Sequence, residues 1–438
     1  MATRFVSTRG GSAAGVSFEE ALLQGIASDG GLFVPAGIPV IPKALWTDAA
    51  TLDALAIPVL DRWIGDEFEP GALASILREA LDFPVPLVPA GGGVYGEETY
   101  VLELFHGPTL SFKDVGARTM ARLMAYFLAR RGRRLTILVA TSGDTGSAVA
   151  DGFAGLDAID VVLLYPRGRV SPIQELQLIH KRPGVRALAI EGTFDDCQRL
   201  VKQAFLDPEL ASLPLSSANS INIGRLLPQM LYYLWGAAQG AWSTPPSFCV
   251  PSGNLGNLSA GVLAHLSGMP VRRFVAAHNE NDFFPRYLAG EEAAFGPSVT
   301  TPSSAMDVGA PSNFERLDWL LDAERMRRLI RGERVDNAAT LEAMRAVRDE
   351  TGYLADPHTA VGFEAVRRQR AAGDVSPFVV LSTAHPAKFV EIVEEALGFA
   401  PDMPARLAAY RDAETDVLAM PADYPIFRQF LRDASPGS

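Results

Sequence analysis

From about residue 95 onward, short apolar runs alternate with helical patterns, and this alternation restricts the fold more than any other feature of the chain. The runs are Leu135–Ala140, Val161–Tyr165, Ala187–Ile190, Phe248–Val250, Phe274–Ala277 and Phe378–Leu381. They are too short for helices and carry few polar breaks, so they read as strands buried on both faces. A Gly- or Ser-rich turn and a helical pattern follow most of them. Strands joined through helices run parallel, which predicts a mostly parallel α/β sheet covered on both sides.

Residues 1–90 read as a separate unit. Ser17 and Glu20 are spaced as a capping box before an apolar-periodic stretch. Ser28-Asp29-Gly30-Gly31 predicts a turn before Leu32–Pro35. Helical patterns follow around 48–64 and 70–81, and Pro84, Pro86 and Pro89 punctuate the exit. The remainder, 91–438, is expected to hold two interleaved α/β subdomains, the smaller over roughly 100–220. Residues 314–331 and 337–350 read as Arg/Glu-rich helices. The segment Leu226–Val271 has no Asp, Glu, Lys or Arg, but its prolines and asparagines break every run long enough to span a bilayer. It is expected to give a buried helix, a buried strand, a polar loop and a second helix. The N-terminus lacks the apolar core of a secretory leader. A formal charge of −12 argues against a nucleic-acid partner. Two cysteines, Cys197 and Cys249, cannot frame a disulfide network and are expected as buried thiols in a cytoplasmic protein. No metal-ligand spacing is present among the six histidines.

Three polar loops each follow an expected strand: Thr141–Ser147 (TSGDTGS), Ser252–Asn257 (SGNLGN) and Ser382–Pro386 (STAHP). In open α/β sheets, ligands bind beyond the carboxyl ends of the strands. A Gly-rich strand-to-helix turn gathers backbone N–H groups at a helix N-terminus, which suits phosphate. Turn and cap chemistry explains any one of these loops; three together point to a site. The GxGxxG at Gly91–Gly96 precedes a strand-like segment rather than a helix, so it reads as a hairpin turn and not a dinucleotide fingerprint.

A fourth segment, ELFHGPTLSFKD (103–114), places Lys113 beside Phe112 at the start of an apolar helix running to about Ala129. An amine in apolar surroundings loses basicity and gains nucleophilicity, which favours Schiff-base chemistry. The chain has 34 Arg but five Lys, so each lysine invites the question of what its amine does. A lysine with a phosphate cradle suggests pyridoxal phosphate (PLP).

These segments resemble the threonine synthases, PLP enzymes of fold-type II, over nearly the whole chain. The resemblance rests on STRGGSAAGVSFEEALLQGIASDGGLFVP (7–35), ELFHGPTLSFKD, TSGDTGSAV, SANSINIGRLLPQ, SGNLGN and LSTAHPAKF, in order and spacing. It implies two mostly parallel open-sheet α/β domains with the cofactor in the cleft, plus an N-terminal domain. The implied reaction takes O-phospho-L-homoserine and water to L-threonine and phosphate, the last step of threonine biosynthesis, in a monomer or homodimer. By this resemblance Lys113 carries PLP as a Schiff base. Gly253, Asn254, Leu255, Gly256 and Asn257 hold its phosphate, and Thr383 meets the pyridine nitrogen. Ser142, Gly143, Asp144 and Thr145 line the substrate carboxylate, and Ser220, Asn222 and Arg225 are candidates for the substrate phosphate. Asp144 stands where many fold-type II relatives have Asn, an acidic variant common in the longer threonine synthases. Two alternatives are another fold-type II lyase, such as a dehydratase or a cysteine synthase-like enzyme, and a non-catalytic binder of phosphorylated metabolites. The 7–35 block argues against the first. The intact Lys113, Gly253–Asn257 and Thr383 argue against the second.

Overall fold

The computed structural model describes residues 3–11, 14–141 and 143–434. Thirteen strands form three sheets among these residues. The N-terminal pair is β1 (Phe5–Ser7) and β2 (Phe33–Pro35), antiparallel. The helix Phe18–Gln24 lies between them and starts with the expected capping box: Ser17 Oγ accepts from Glu20 N, and the Glu20 carboxylate accepts from Ser17 N. The helices Leu52–Ile64 and Ala72–Ala80 complete the unit, burying Leu55, Val59, Leu60, Trp63 and Leu77.

The larger sheet holds β3 (Leu87–Pro89), β4 (Thr99–Glu103), β9 (Ser247–Pro251), β10 (Phe274–His278), β11 (Ile330–Arg334) and β12 (Phe378–Ser382), in the order β11-β10-β9-β12-β4-β3. All neighbours are parallel except β3–β4, an antiparallel hairpin. Gly91–Gly96 forms its turn, as the motif's context predicts. The smaller sheet is all parallel and has the order β13-β7-β6-β5-β8. It comprises β5 (Leu135–Ala140), β6 (Ile159–Pro166), β7 (Val185–Glu191), β8 (Leu215–Ser217) and β13 (Val417–Pro421). β4 therefore pairs with the larger sheet although it lies inside the 100–220 block. β13 returns to the smaller sheet from near the C-terminus.

Besides the three-residue strands β1, β3 and β8, two longer strands, β11 and β13, escape the sequence pattern. Residues 314–331 do not form one helix: Asp322 caps a second helix, Ala323–Leu329, and the chain then extends as β11. That strand reads IRGER, because an edge strand leaves polar side chains in water. Gly332 is needed there, since a Cβ would come within 2.6 Å of Pro285 Cα. β13 is also an edge strand; it reads VLAMP, an apolar run, yet all of it but Met420 is exposed.

The charge-free segment supplies the wall behind the site. The helix Met230–Gln239 and the helix Gly256–Leu266 pack together, with β9 between them in sequence. Tyr232 and Tyr233 are wholly buried in this layer.

Arg316 ties the N-terminal unit to this core. Its guanidinium is fully buried and has no ion-pair partner among the described residues. It donates to Phe33 O at the start of β2, to Ser220 O, to Ile221 O and to Asn313 Oδ1. Burial without an acid pulls its basicity down to about 9. Arg316→Ala is expected to destabilise the chain by about 3 kcal/mol or more in urea unfolding, because it strands several buried acceptors, each costing ~1–3 kcal/mol. An unchanged midpoint would show that water satisfies those carbonyls.

Candidate functional site

The three polar loops converge where the carboxyl ends of the two sheets meet. Backbone bonds stitch the third loop to the lysine segment: Phe112 N donates to Thr383 O at 2.8 Å, and His385 N donates to Leu110 O at 3.1 Å. Thr383 is buried at the end of β12. Lys113 opens the helix Lys113–Arg131, whose first turn includes Asp114. The Asp114 carboxylate accepts from Thr109 N and Thr109 Oγ1, which fixes the Gly-Pro turn before the lysine. Burial pushes that carboxyl up to about 6.

The Lys113 side chain is 14% exposed, and its Nζ lies 3.8 Å from Asp144 Oδ2. Desolvation lowers its basicity; Asp144 opposes this, while Lys388 and Arg225 add to it. The Asp144 carboxylate is claimed from its other side. Lys388 Nζ donates to Asp144 Oδ1 at 2.7 Å, and Gln174 Nε2 donates to the same oxygen at 2.8 Å. Neighbouring Gly143 has φ +143°, and a Cβ there would meet Gln174 at 2.8 Å. Thr145 is half-buried in the first turn of the helix Asp144–Phe153. Ser142 lies outside the described residues.

The SGNLGN loop runs from β9 into the helix Gly256–Leu266. Leu255 has φ +60°. The other non-glycine residue with positive φ among those described is Leu110, three residues before the lysine, at +58°. Each left-handed residue costs about 1 kcal/mol or more, and such strain collects at functional sites. At Gly253 a Cβ would sit 2.8 Å from Met306 Cα. Asn254 donates from Nδ2 to Ser220 Oγ at 2.6 Å, so Ser220 sits against this loop. Tyr232 and Tyr233 both donate to Asn257 Oδ1 at 2.7 Å, fixing the amide so that Oδ1 accepts. Asn257 Nδ2 is buried without a hydrogen-bond partner.

Arg225 lies in the short helix Ile223–Leu226 and is 3% exposed. Nη1 donates to Ala218 O at 2.7 Å, while Nε is buried and unpartnered. Its backbone packs on Gly116, one turn beyond Lys113, where a Cβ would meet Arg225 O at 2.7 Å. Burial pulls the guanidinium down to about 10. Asn222 does not share this arrangement. Its Oδ1 accepts from Gly224 N, and its Nδ2 donates to Leu22 O and Ser217 O. Its amide caps a helix and grips the N-terminal unit, so it is spent on structure, contrary to the expectation that it meets a phosphate. An Asn before a helix start carries this cap signal in sequence.

Residues 4–81 match the family described as threonine synthase N terminus, residues 80–384 that of pyridoxal-phosphate dependent enzymes, and residues 359–431 that of the threonine synthase C-terminal region. The threonine synthase of Escherichia coli K12 is 42% identical over 424 residues, covering 95% of this chain and 96% of its own. The chain belongs to the threonine synthase family. The yeast (Saccharomyces cerevisiae) threonine synthase is 37% identical over 456 residues, covering 89% of this chain and 88% of its own. The crystal structure of PLP-bound threonine synthase from Brucella melitensis superposes with a TM-score of 0.91 at 37% identity, over 99% of this chain and all of that one. The fold is thus the fold-type II architecture expected from the motifs, and the cofactor of this threonine synthase-family chain is PLP. The site fits it: a buried lysine, a glycine-tight loop at a helix N-terminus, and a buried amide N–H with nothing to donate to.

Asn257→Ala is expected to raise the PLP dissociation constant by about 10–100-fold, the scale of one charge-assisted hydrogen bond. The two tyrosine hydroxyls also lose one acceptor each but keep Gln229 Oε1 and the backbone Asn257 O, so thermal stability should fall only slightly. Fluorescence titration with PLP checks the first effect; an unchanged constant would remove Asn257 from the cradle.

Proposed function

We propose that the chain converts O-phospho-L-homoserine and water to L-threonine and phosphate, with PLP held on Lys113. One observation carries this reading. Lys113, its side chain 14% exposed, is accompanied in the site by two buried, unpartnered N–H groups, Asn257 Nδ2 and Arg225 Nε. The reaction needs two phosphate positions, one for cofactor and one for substrate.

PLP supplies the electron sink that makes carbanion chemistry at the substrate accessible. Everything else falls to the chain. Gly253, Asn254, Leu255, Gly256 and Asn257 hold the cofactor phosphate with N–H groups at a helix N-terminus. Thr383 takes the ring nitrogen. Gly143 and Thr145, with Ser142 and Asp144, line the substrate carboxylate. Desolvation weakens the basicity of Lys113, which favours its use as a proton carrier at Cα and Cβ. Loss of the Cβ proton expels phosphate from Cγ, and Arg225 meets the charge gathering on that group. Ser220, bonded to Asn254, is a candidate for the substrate phosphate beside Arg225. Two buried free thiols, Cys197 and Cys249, suit a reducing cytoplasm.

The test is direct. PLP-loaded protein is incubated with O-phosphohomoserine, and phosphate and threonine are measured together. Equal amounts of both are expected. Phosphate accompanied by a 2-oxo acid would favour a dehydratase-type lyase, and no phosphate would remove the reading.

A further inference from the structure

Of the five lysines, Lys43, Lys181 and Lys202 are exposed, while Lys113 and Lys388 are withdrawn from solvent. The two withdrawn lysines approach one carboxylate from opposite oxygens. Lys388 Nζ lies 2.7 Å from Asp144 Oδ1, and Lys113 Nζ lies 3.8 Å from Asp144 Oδ2. Lys388 is fully buried and donates also to Thr109 O at 2.8 Å, so its ammonium is anchored from both sides. It stands in the short 3-10 turn after β12, on the larger sheet, whereas Asp144 starts a helix of the smaller one. Nothing in the proposed reaction uses it. Asp144, however, lies in the loop assigned to the substrate carboxylate, where a bare anion would repel the substrate. A bare Asp144 would also seize the Lys113 ammonium and hold its proton. Both problems vanish when a second cation takes the carboxylate first.

We infer that Lys388 is a positioning residue: it clamps and neutralises Asp144, so that the carboxylate orients Lys113 through a long 3.8 Å contact and not a close hydrogen-bonded pair. The inference rests on the reading of Lys113 as the PLP lysine. The charged groups facing Lys113 are Asp144, Lys388 from the turn after β12, Arg225 from the 223–226 helix and, more weakly, Asp356 from the cap of the helix Pro357–Ala371. Arg225 and Asp356 are untouched by the changes below, so any movement belongs to the two lysines and their shared carboxylate.

The measurement is the pH dependence of Lys113 acylation by trace acetic anhydride. It is made on the full chain freed of PLP and read by peptide mass spectrometry. Lys388→Met should move the midpoint up by about one pH unit or more, the scale for uncovering an opposite charge within ~4–6 Å. Asp144→Asn should move it down. The double variant should return it close to the unsubstituted value. The pH midpoint of bound-PLP absorbance in the holoenzyme should follow the same order. An unmoved midpoint in Lys388→Met, or a double variant that shifts as far as Lys388→Met alone, would overturn the inference and leave Lys388 a purely structural tie. Should Lys388→Met not fold, Asp144→Asn decides alone, and no downward shift overturns it. Borohydride trapping of PLP on a lysine other than Lys113 would instead sink the functional reading, and the acylation midpoints would still report on the charge arrangement.

Discussion

Lys113→Ala is expected to abolish threonine formation, by on the order of 10³-fold or more, while the chain stays folded. The removed amine is both the proposed attachment point of PLP and the proposed proton carrier, and acid–base work alone is worth ~10²–10⁴-fold. The fold should tolerate the change. The Lys113 ammonium makes no hydrogen bond closer than its 3.8 Å approach to Asp144, and desolvation already penalises its charged form. Circular dichroism and urea unfolding check the fold, and product chromatography checks the activity. Borohydride reduction of the unsubstituted holoenzyme should place the pyridoxyl group on Lys113. Label on Lys181 or Lys388 would overturn the assignment of Lys113.

Arg225→Ala is expected to cut kcat/KM for O-phosphohomoserine by on the order of 10²-fold or more, with PLP absorbance unchanged. Arg225 is a guanidinium 3% exposed, with one hydrogen bond to a backbone carbonyl and a buried Nε that has none. No carboxylate pairs with it among the described residues; Asp114 acts on it only through space. A buried cation left so poorly matched is suited to an incoming anion. Arg225→Lys should restore part of the loss, because a point charge cannot take two phosphate oxygens as a planar fork does. A chain of contacts also runs from Arg225 O through Gln229 and Tyr232 to Asn257, in the proposed cofactor cradle. The decisive comparison is therefore PLP content. A variant that loses PLP yet turns over normally in excess PLP would move Arg225 to the cofactor side.

Much of the site was legible because its parts are local. Lys113 follows a Gly-Pro turn, SGNLGN leads from a buried strand into a helix, and STAHP ends another strand. Such signals lie within a few residues of each other. Asn222 was misread because a polar side chain in a small-residue segment looks the same whether it faces a ligand or caps a helix. Lys388 stood in a quoted motif, and the scarcity of lysine flagged it, but nothing nearby in sequence pointed to a partner 244 positions away at Asp144. Tyr232 and Tyr233 read as ordinary core aromatics, although their hydroxyls set the orientation of the Asn257 amide.

The division follows the range of the interactions. Burial periodicity, caps, glycine turns and motif order act over a few residues, and they determined the parallel α/β class, the central strands, the N-terminal unit and the segment that carries Lys113. Edge strand β11 (IRGER) is too polar to mark itself, and β13 (VLAMP) is a short apolar run far along the chain from the rest of its sheet, so only pairing in the sheet revealed them. Charge balance in the site is likewise tertiary. Whether Asp144 meets one lysine or two, and whether Arg225 finds an acid, depends on which loops the two sheets bring together, because electrostatic partners in a dry interior are chosen by distance in space and not by separation along the chain.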